Sequence, residues 1–466
     1  MSEFSNHIKA YSIQNFLEFG KADASKTLGK LFQHGLTRER IKEVMPEIQE
    51  IVKTVNILKK PDALKLMDSL KEFIKEAREE RKGLPELPQI SKKMIFRIAP
   101  FPSGALHIGN AKTFLLNALY AEKYDAKLLL IIDDTIGSEE KQPLKEGYRL
   151  IEEATELLGI KYAKPIYYKS DRLKLYYDYA KKLIEKDKAY VCYCTQEEFK
   201  KLKEKGVECS CRQFPFKIQL ERWKQMFKEK EGHAVVRIKT GMQHPNPAFR
   251  DRVLFKISDR KHPKVGNKYR IWPSLEMTWA IDDHLLGITH IIRGNELMIE
   301  TDMEKFIWDI FGWKHPETIH SGLIKIEGMG AKISKSKNQK EIKEGTYTGW
   351  DDPRTWSIQS LIRRGITKEA IREFVEEIGL NKADITVPID ALYAANRRVI
   401  DSEAKRYYFV QEPCKLEFDK PVPMKSVSIP VHPDKPETRE VAVNELYISN
   451  KDLKEHLGTE VRLLHL

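Results

Sequence analysis

The stretch from Met94 to Thr113 constrains this chain more than any other. Met94 to Ala99 is a short apolar run, which is how a buried strand reads. Pro100, Pro102 and Gly104 interrupt it, so the chain turns. From Gly109 onward Ala111, Phe114, Leu115, Ala118 and Leu119 recur at helical spacing, and a second apolar run, Leu128 to Ile132, ends in Asp133-Asp134. Strand, turn, helix and buried strand make a right-handed crossover in a parallel sheet. Such sheets bind ligands beyond the carboxyl ends of their strands, often at a helix N-terminus.

His107-Ile108-Gly109-Asn110 stands at that helix start. An imidazole donor beside a glycine, where backbone can approach closely, suits the phosphates of a nucleotide. Alone, His-x-Gly reads first as a helix-capping turn. The partner signal is Lys332-Ile333-Ser334-Lys335-Ser336, after Gly328 and Gly330. Two lysines on a loop can neutralise charge developing on a phosphate, although a basic loop by itself is ordinarily solvated surface. The two motifs in this order, about two hundred residues apart, are far more specific than either alone.

The length of 466 residues predicts three or more domains. No apolar run approaches the roughly 20 residues of a bilayer span. The N-terminus Met-Ser-Glu-Phe-Ser-Asn is polar, with no secretory signal, so a cytoplasmic location is expected. A net charge of +12 fits a polyanionic partner, and equally a lysine bias of the kind common in heat-adapted proteins. Four of the five cysteines cluster as Cys192-Tyr193-Cys194 and Cys209-Ser210-Cys211. Two such pairs can place four thiolates around a tetrahedral zinc ion; the alternative is two reduced pairs on neighbouring strands.

The paired motifs resemble the His-Ile-Gly-His and Lys-Met-Ser-Lys-Ser signatures of the class I aminoacyl-tRNA synthetases. Further stretches resemble the glutamyl and glutaminyl group in its archaeal form: Arg97 to Gly109, Leu130 to Thr135, His244 to Asp251, Ile281 to Leu285, Thr289 to Glu296 and Gly349 to Arg354. The likeness extends over almost the whole chain. It implies an α/β fold with a Rossmann-type parallel sheet. The implied segments are an N-terminal helical appendage (1–90), the first half of the catalytic domain (91–190), an inserted acceptor-end-binding domain with the cysteines (191–265), and the second catalytic half (266–345). A helical stem-contact region (346–405) and the start of an anticodon-binding β-barrel (406–466) complete them.

The resemblance also implies ligation of L-glutamate to tRNA(Glu) through glutamyl-adenylate, with Mg2+ and ATP, and a structural zinc in the insertion. His107, Lys332 and Lys335 would be catalytic. Pro102, Ser103, His107, Gly109, Asn110, Glu296, Lys332, Ser334 and Lys335 would bind ATP. Arg97, Ala99, Pro100, Asp133 and Arg293 would bind glutamate, with Asp133 on the α-amino group and the two arginines on the γ-carboxylate; Cys192, Cys194, Cys209 and Cys211 would hold the metal. A guanidinium suits a bidentate grip on a carboxylate, and two cations should reject neutral glutamine. Arg212, Lys217, Arg222, Lys224, Arg237, Lys239, Arg250 and Arg252 form a candidate phosphate-facing set.

This chain departs from the family pattern at Ile131 and Ile136, at Asn110 in place of the second signature His, and at Leu275 and Glu276 in the pocket. Trp279 stands where relatives carry a small amide, and that role is not transferred to it. The β-barrel text stops at Leu466, which suggests missing strands supplied by a second polypeptide or a truncated form. The rival functions are a glutaminyl or non-discriminating glutamyl enzyme, a truncated paralogue that holds tRNA, and a small-molecule adenylyltransferase.

Overall fold

The computed structural model describes residues 2–37, 40–74, 83–136, 142–328, 335–407, 409–420, 425–443 and 446–459. The chain divides into two compact units, residues 1–82 and 83–466.

The first unit is helical, with Ser5–Phe19, Ala24–Leu31, Ile41–Val55 and Lys60–Leu70. Asp23 starts the second helix by accepting hydrogen bonds from the backbone N–H groups of Ser25 and Lys26. In the third, Val44, Ile48, Val52 and Val55 recur at helical spacing and are buried with Ile8 and Tyr11.

The second unit is built on a five-stranded parallel sheet in the order Ala163–Tyr168, Lys127–Ile132, Ile95–Ile98, His290–Gly294, Glu317–Ser321. The chain lays its first three strands outward in one direction, then returns to add the last two on the other side of Ile95–Ile98. Strand order therefore reverses between Ile95–Ile98 and His290–Gly294, which opens a crevice at their carboxyl ends. Helix Ile108–Lys123 buries Ala111, Leu115, Leu116 and Ala118 against the sheet, as its spacing predicts.

Residues 83–90 belong with this unit: the Leu87 N–H donates to the Tyr124 hydroxyl at 2.8 Å, and Leu84 and Leu87 join the main core. The insertion is a four-stranded antiparallel sheet, Ala189–Cys192, Val235–Ile238, Val253–Ile257 and Ile271–Pro273. It reaches beyond 191–265 at both ends because its edge strands lie in the chain that leads in and out. Helices Ile358–Arg363, Lys368–Ile378 and Ile389–Ile400 pack Leu361, Phe374 and Leu392 into the main core. Beyond them come two antiparallel strand pairs, Pro413–Lys415 with Tyr447–Ser449 and Ser426–Pro430 with Thr438–Ala442. No described helix is long and apolar enough to cross a membrane.

Candidate active site

His107 ends the turn that follows the Ile95–Ile98 strand and caps helix Ile108–Lys123. Its backbone carbonyl accepts from the N–H groups of Asn110 and Ala111 at 2.9 Å each, and its Nδ1 faces the Asn110 N–H at 3.4 Å. A neutral ring that accepts at Nδ1 carries its proton on Nε2, leaving that N–H to donate outward. A Cβ at Gly109 would lie 3.2 Å from the imidazole, so glycine gives the ring its place. Gly104, at φ +128°, lies beneath the Trp350 indole, where a Cβ would come within 2.3 Å of the ring. Pro102 is buried, Ser103 is half-buried, and the Asn110 Oδ1 is buried without a hydrogen-bond partner among the described residues.

Burial, with the Lys335 ammonium in support, pushes the His107 pKa from the usual 6.5 down to about 4. The unliganded chain therefore presents a neutral imidazole at physiological pH. On the ATP-using activity that the resemblance implies, kcat/KM for ATP is expected to show no histidine-type decline between about pH 5.5 and 7.5, measured by ATP–pyrophosphate exchange. A tenfold loss as pH rises through this range would show that an imidazolium of ordinary pKa is the working form.

Lys335 begins the helix Lys335–Lys343. Lys332 and Ser334 lie outside the described residues. Glu296, in the turn after the His290–Gly294 strand, is exposed, and its carboxylate lies against Gly294, where a Cβ would meet it at 2.1 Å.

Two of the five residues expected to bind glutamate, Arg97 and Arg293, meet at one indole. Arg97 and Arg293 lie over the Trp279 ring with their guanidinium carbons 4.9 and 4.6 Å from its centroid, and Lys169 joins them at 4.8 Å. Each cation has its own carboxylate. Arg97 grips Asp283 through Nε and through Nη2 to Oδ2 at 2.9 Å. Arg293 donates to both oxygens of Glu304 at 2.8 and 2.9 Å and to Thr301 Oγ1 at 3.0 Å. Lys169 stands 3.2 Å from Asp133, and Arg172 holds Asp282 at 2.8 Å. Arg97, Asp133 and Arg293 are all buried, while Ala99 is half-buried and Pro100 buried. The Pro100 carbonyl accepts from the Asp133 N–H at 3.0 Å, which ties the turn to the neighbouring strand.

Sequence reasoning missed Lys169, Asp283 and Glu304 in this cluster. The Asp282-Asp283 doublet was visible; Glu304, eleven residues beyond Arg293 on the next helix, had only its charge to announce it. Asp134 is turned away from the cluster and accepts from Ser170 N, Ser170 Oγ and Tyr148 OH at 2.8, 2.7 and 3.0 Å. Beside the cluster, a cavity of about 690 Å³ is lined by Phe101, Thr135, Leu275, Glu276, Arg237 and Arg252.

In the insertion, the four cysteine sulfurs lie within 4.8 Å of one another, with Cys192 and Cys209 3.9 Å apart. Tetrahedral zinc–thiolate bonds of about 2.3 Å set sulfurs roughly 3.8 Å apart, so the donor set fits that ion. Cys211 accepts from the Tyr193 N–H at 3.5 Å and Arg222 Nη2 at 3.2 Å, contacts that favour a thiolate. Much of the candidate phosphate-facing set has other work. Arg212 pairs with Glu208 and Asp251, Arg250 donates to the backbone carbonyls of His244 and Lys203, and Arg252 pairs with Glu276 and Glu300.

A family model described as tRNA synthetases class I (E and Q), catalytic domain, matches residues 93–402, and one described as the anti-codon binding domain of the same group matches 404–466. The glutamate--tRNA ligase of Pyrococcus furiosus is 44% identical over 92% of this chain and 76% of its own length. That of Pyrococcus abyssi is 45% identical over 95% and 79%, and that of Methanocaldococcus jannaschii 39% over 96% and 80%. A solved glutamate-tRNA synthetase from Elizabethkingia anophelis aligns over 66% of this chain and 70% of its own at 21% identity, with a TM-score of 0.48. The archaeal relatives extend beyond the part that this chain matches, and they lend no support to a second polypeptide. With the catalytic model covering the sheet, the crevice and the insertion together, the chain belongs to the class I glutamyl and glutaminyl tRNA synthetase family, in its archaeal glutamyl form.

Proposed function

We propose that this chain ligates L-glutamate to tRNA(Glu). The observation that carries the reading is the His107 imidazole at a helix N-terminus in the strand-order crevice, within electrostatic reach of Lys335, on a family-matched catalytic domain. The glutamate α-carboxylate attacks the α-phosphate of ATP, pyrophosphate leaves, and the 3′-terminal ribose hydroxyl of the tRNA then takes the acyl group from the adenylate. No protein nucleophile is needed; positioning and charge stabilisation carry the rate. His107 donates through Nε2–H to a phosphate oxygen, and Lys335, with Lys332, balances the charge that builds as pyrophosphate departs. Magnesium bound to the ATP supplies further neutralisation at the phosphates. Pro102, Ser103, Gly109, Asn110, Glu296 and Ser334 complete the nucleotide site. Arg97, Ala99, Pro100, Asp133 and Arg293 form the amino-acid end. Charging of tRNA implies the cytoplasm.

The test is pyrophosphate exchange on the purified chain with glutamate or glutamine, with and without tRNA. Exchange with glutamate that requires tRNA is the expected result. Exchange driven by glutamine would overturn the glutamate assignment, and silence under every condition would leave a tRNA-holding protein instead.

Zinc, held by Cys192, Cys194, Cys209 and Cys211, is structural in this reading. Purified protein is expected to carry one equivalent by elemental analysis. A Cys209→Ala, Cys211→Ala double variant should lose the metal and lower the thermal transition of the insertion, while glutamate binding persists. Full stability without metal would remove this role.

A further inference from the structure

Lys112 lies in helix Ile108–Lys123, just over one turn past His107, and its long side chain is fully buried. The ammonium donates to three neutral oxygens: Ser321 Oγ at 2.9 Å, the Gly322 carbonyl at 2.8 Å and Asn381 Oδ1 at 2.5 Å. An ammonium has three hydrogens, so all are used. Burial lowers its pKa to about 8, and Asp384, the charged group that faces it, acts in the opposite direction. A charge taken out of water with only neutral partners is a costly way to fill a core that an apolar side chain would fill without penalty. What the lysine adds is a tie between elements.

Its three acceptors sit where the parallel sheet passes the chain on. Ser321 ends the edge strand Glu317–Ser321, and Gly322 and Leu323 lead from it into strand Ile324–Glu327. That strand pairs with Ile385–Pro388, and the next described helix begins at Lys335. The segment before Ile385 clasps the same corner. The Asn381 carbonyl accepts from the Gly322 N–H at 2.7 Å, and Asp384 Oδ1 accepts from the Leu323 N–H at 2.8 Å. A Cβ at Gly322 would come within 2.0 Å of the Ala383 carbonyl oxygen, so only glycine admits this approach. The start of the helix packs here too: the Ile324 carbonyl oxygen lies 4.0 Å from where a Cβ at Gly109 would stand. Lys112 thus joins the helix that His107 caps to the stretch of chain that leads to Lys335.

We propose that Lys112 is a positioning residue for adenylate formation: by fixing the Ser321–Gly322 corner to the helix, it sets the distance between the His107 imidazole and the Lys335 ammonium. The proposal rests on the reading that these two groups serve the same phosphates. With its three hydrogens occupied, Lys112 acts through Lys335 and touches no substrate. Misplacing a group by about 1 Å, even from a distant change, costs on the order of a hundredfold in rate.

The test follows glutamate-driven pyrophosphate exchange, with tRNA present, for Lys112→Met in two backgrounds, the wild-type chain and Lys335→Ala. In the wild-type background kcat is expected to fall about 10–100-fold while the KM for glutamate holds. In the Lys335→Ala background the same substitution should cost about twofold or less, because the group it places is gone. A merely structural lysine would lower both backgrounds by the same factor, and equal factors overturn the proposal. Should Lys112→Met fail to fold, Ser321→Ala withdraws one acceptor and keeps the lysine; a smaller loss confined to the wild-type background is then expected, and an equal loss in both overturns the proposal. Wild-type exchange that Lys335→Ala leaves unaltered overturns the reading of Lys335 and the proposal with it, an outcome visible before Lys112 is changed.

Discussion

A His107→Ala enzyme is expected to lose about 10²–10³-fold in the rate of glutamate-dependent pyrophosphate exchange, the usual cost of removing one donor aimed at developing charge. The KM for glutamate should change little, because the imidazole sits at the helix N-terminus and the Trp279 cluster is formed by other elements. Lys335→Ala should behave alike on kcat. Substituting both should cost less than the product of the single losses, since the two groups serve the same phosphates and lie close enough for Lys335 to lower the His107 pKa. His107→Gln, which keeps a donor of similar reach, should recover part of the rate. A His107→Ala variant whose only defect is a raised KM for glutamate would place the ring at the amino-acid end instead.

Arg293→Met carries the largest expected cost in stability. The guanidinium and Glu304 side chains are 4% and 0% exposed, and removal of the cation strands a buried carboxylate. Breaking such a pair from one side costs about 3–5 kcal/mol, whereas replacing both partners by apolar groups is often close to neutral. Denaturant unfolding followed by tryptophan fluorescence should show the single variant strongly destabilised and an Arg293→Met, Glu304→Leu variant largely restored. Restored stability without restored glutamate binding separates the substrate role of Arg293 from its structural one. If the single variant is as stable as the wild type, the pair contributes nothing to folding.

The parallel sheet was legible because its signal is local. Met94 to Ala99 and Leu128 to Ile132 became strands Ile95–Ile98 and Lys127–Ile132, and the spacing from Gly109 onward became helix Ile108–Lys123. Burial on both faces makes such strands continuous apolar runs, and nothing distant has to be known to find them. The cysteine cluster was legible for the same reason, as two short pairs whose sulfurs now lie together.

The charge pairing at the amino-acid end was not legible. Arg97 and Asp283 are 186 residues apart, and Lys169 and Asp133 are joined only by how two strand ends happen to align. Nothing in the spacing says which carboxylate a given cation meets. Trp279 could be noticed as a mismatch, yet its part as a shared surface for three cations depends on three separate strands and turns arriving over one ring. The same holds for the arginines of the insertion, whose backbone and carboxylate partners leave fewer of them for a phosphate than their number in the sequence suggests.

Three buried ion pairs, Arg97–Asp283, Lys169–Asp133 and Arg293–Glu304, and the half-buried Arg172–Asp282 pair each join one positive to one negative charge, so together they sum to zero. A neutral arrangement of this kind projects almost no field into solvent. These pairs therefore add little long-range attraction for glutamate of their own, and act on it at short range. Its association rate should be nearly indifferent to ionic strength. The encounter of a chain of net charge +12 with tRNA should instead slow steeply as salt is added. One protein would then meet its two substrates under different physical regimes, a short-range one for the amino acid and a long-range one for the nucleic acid.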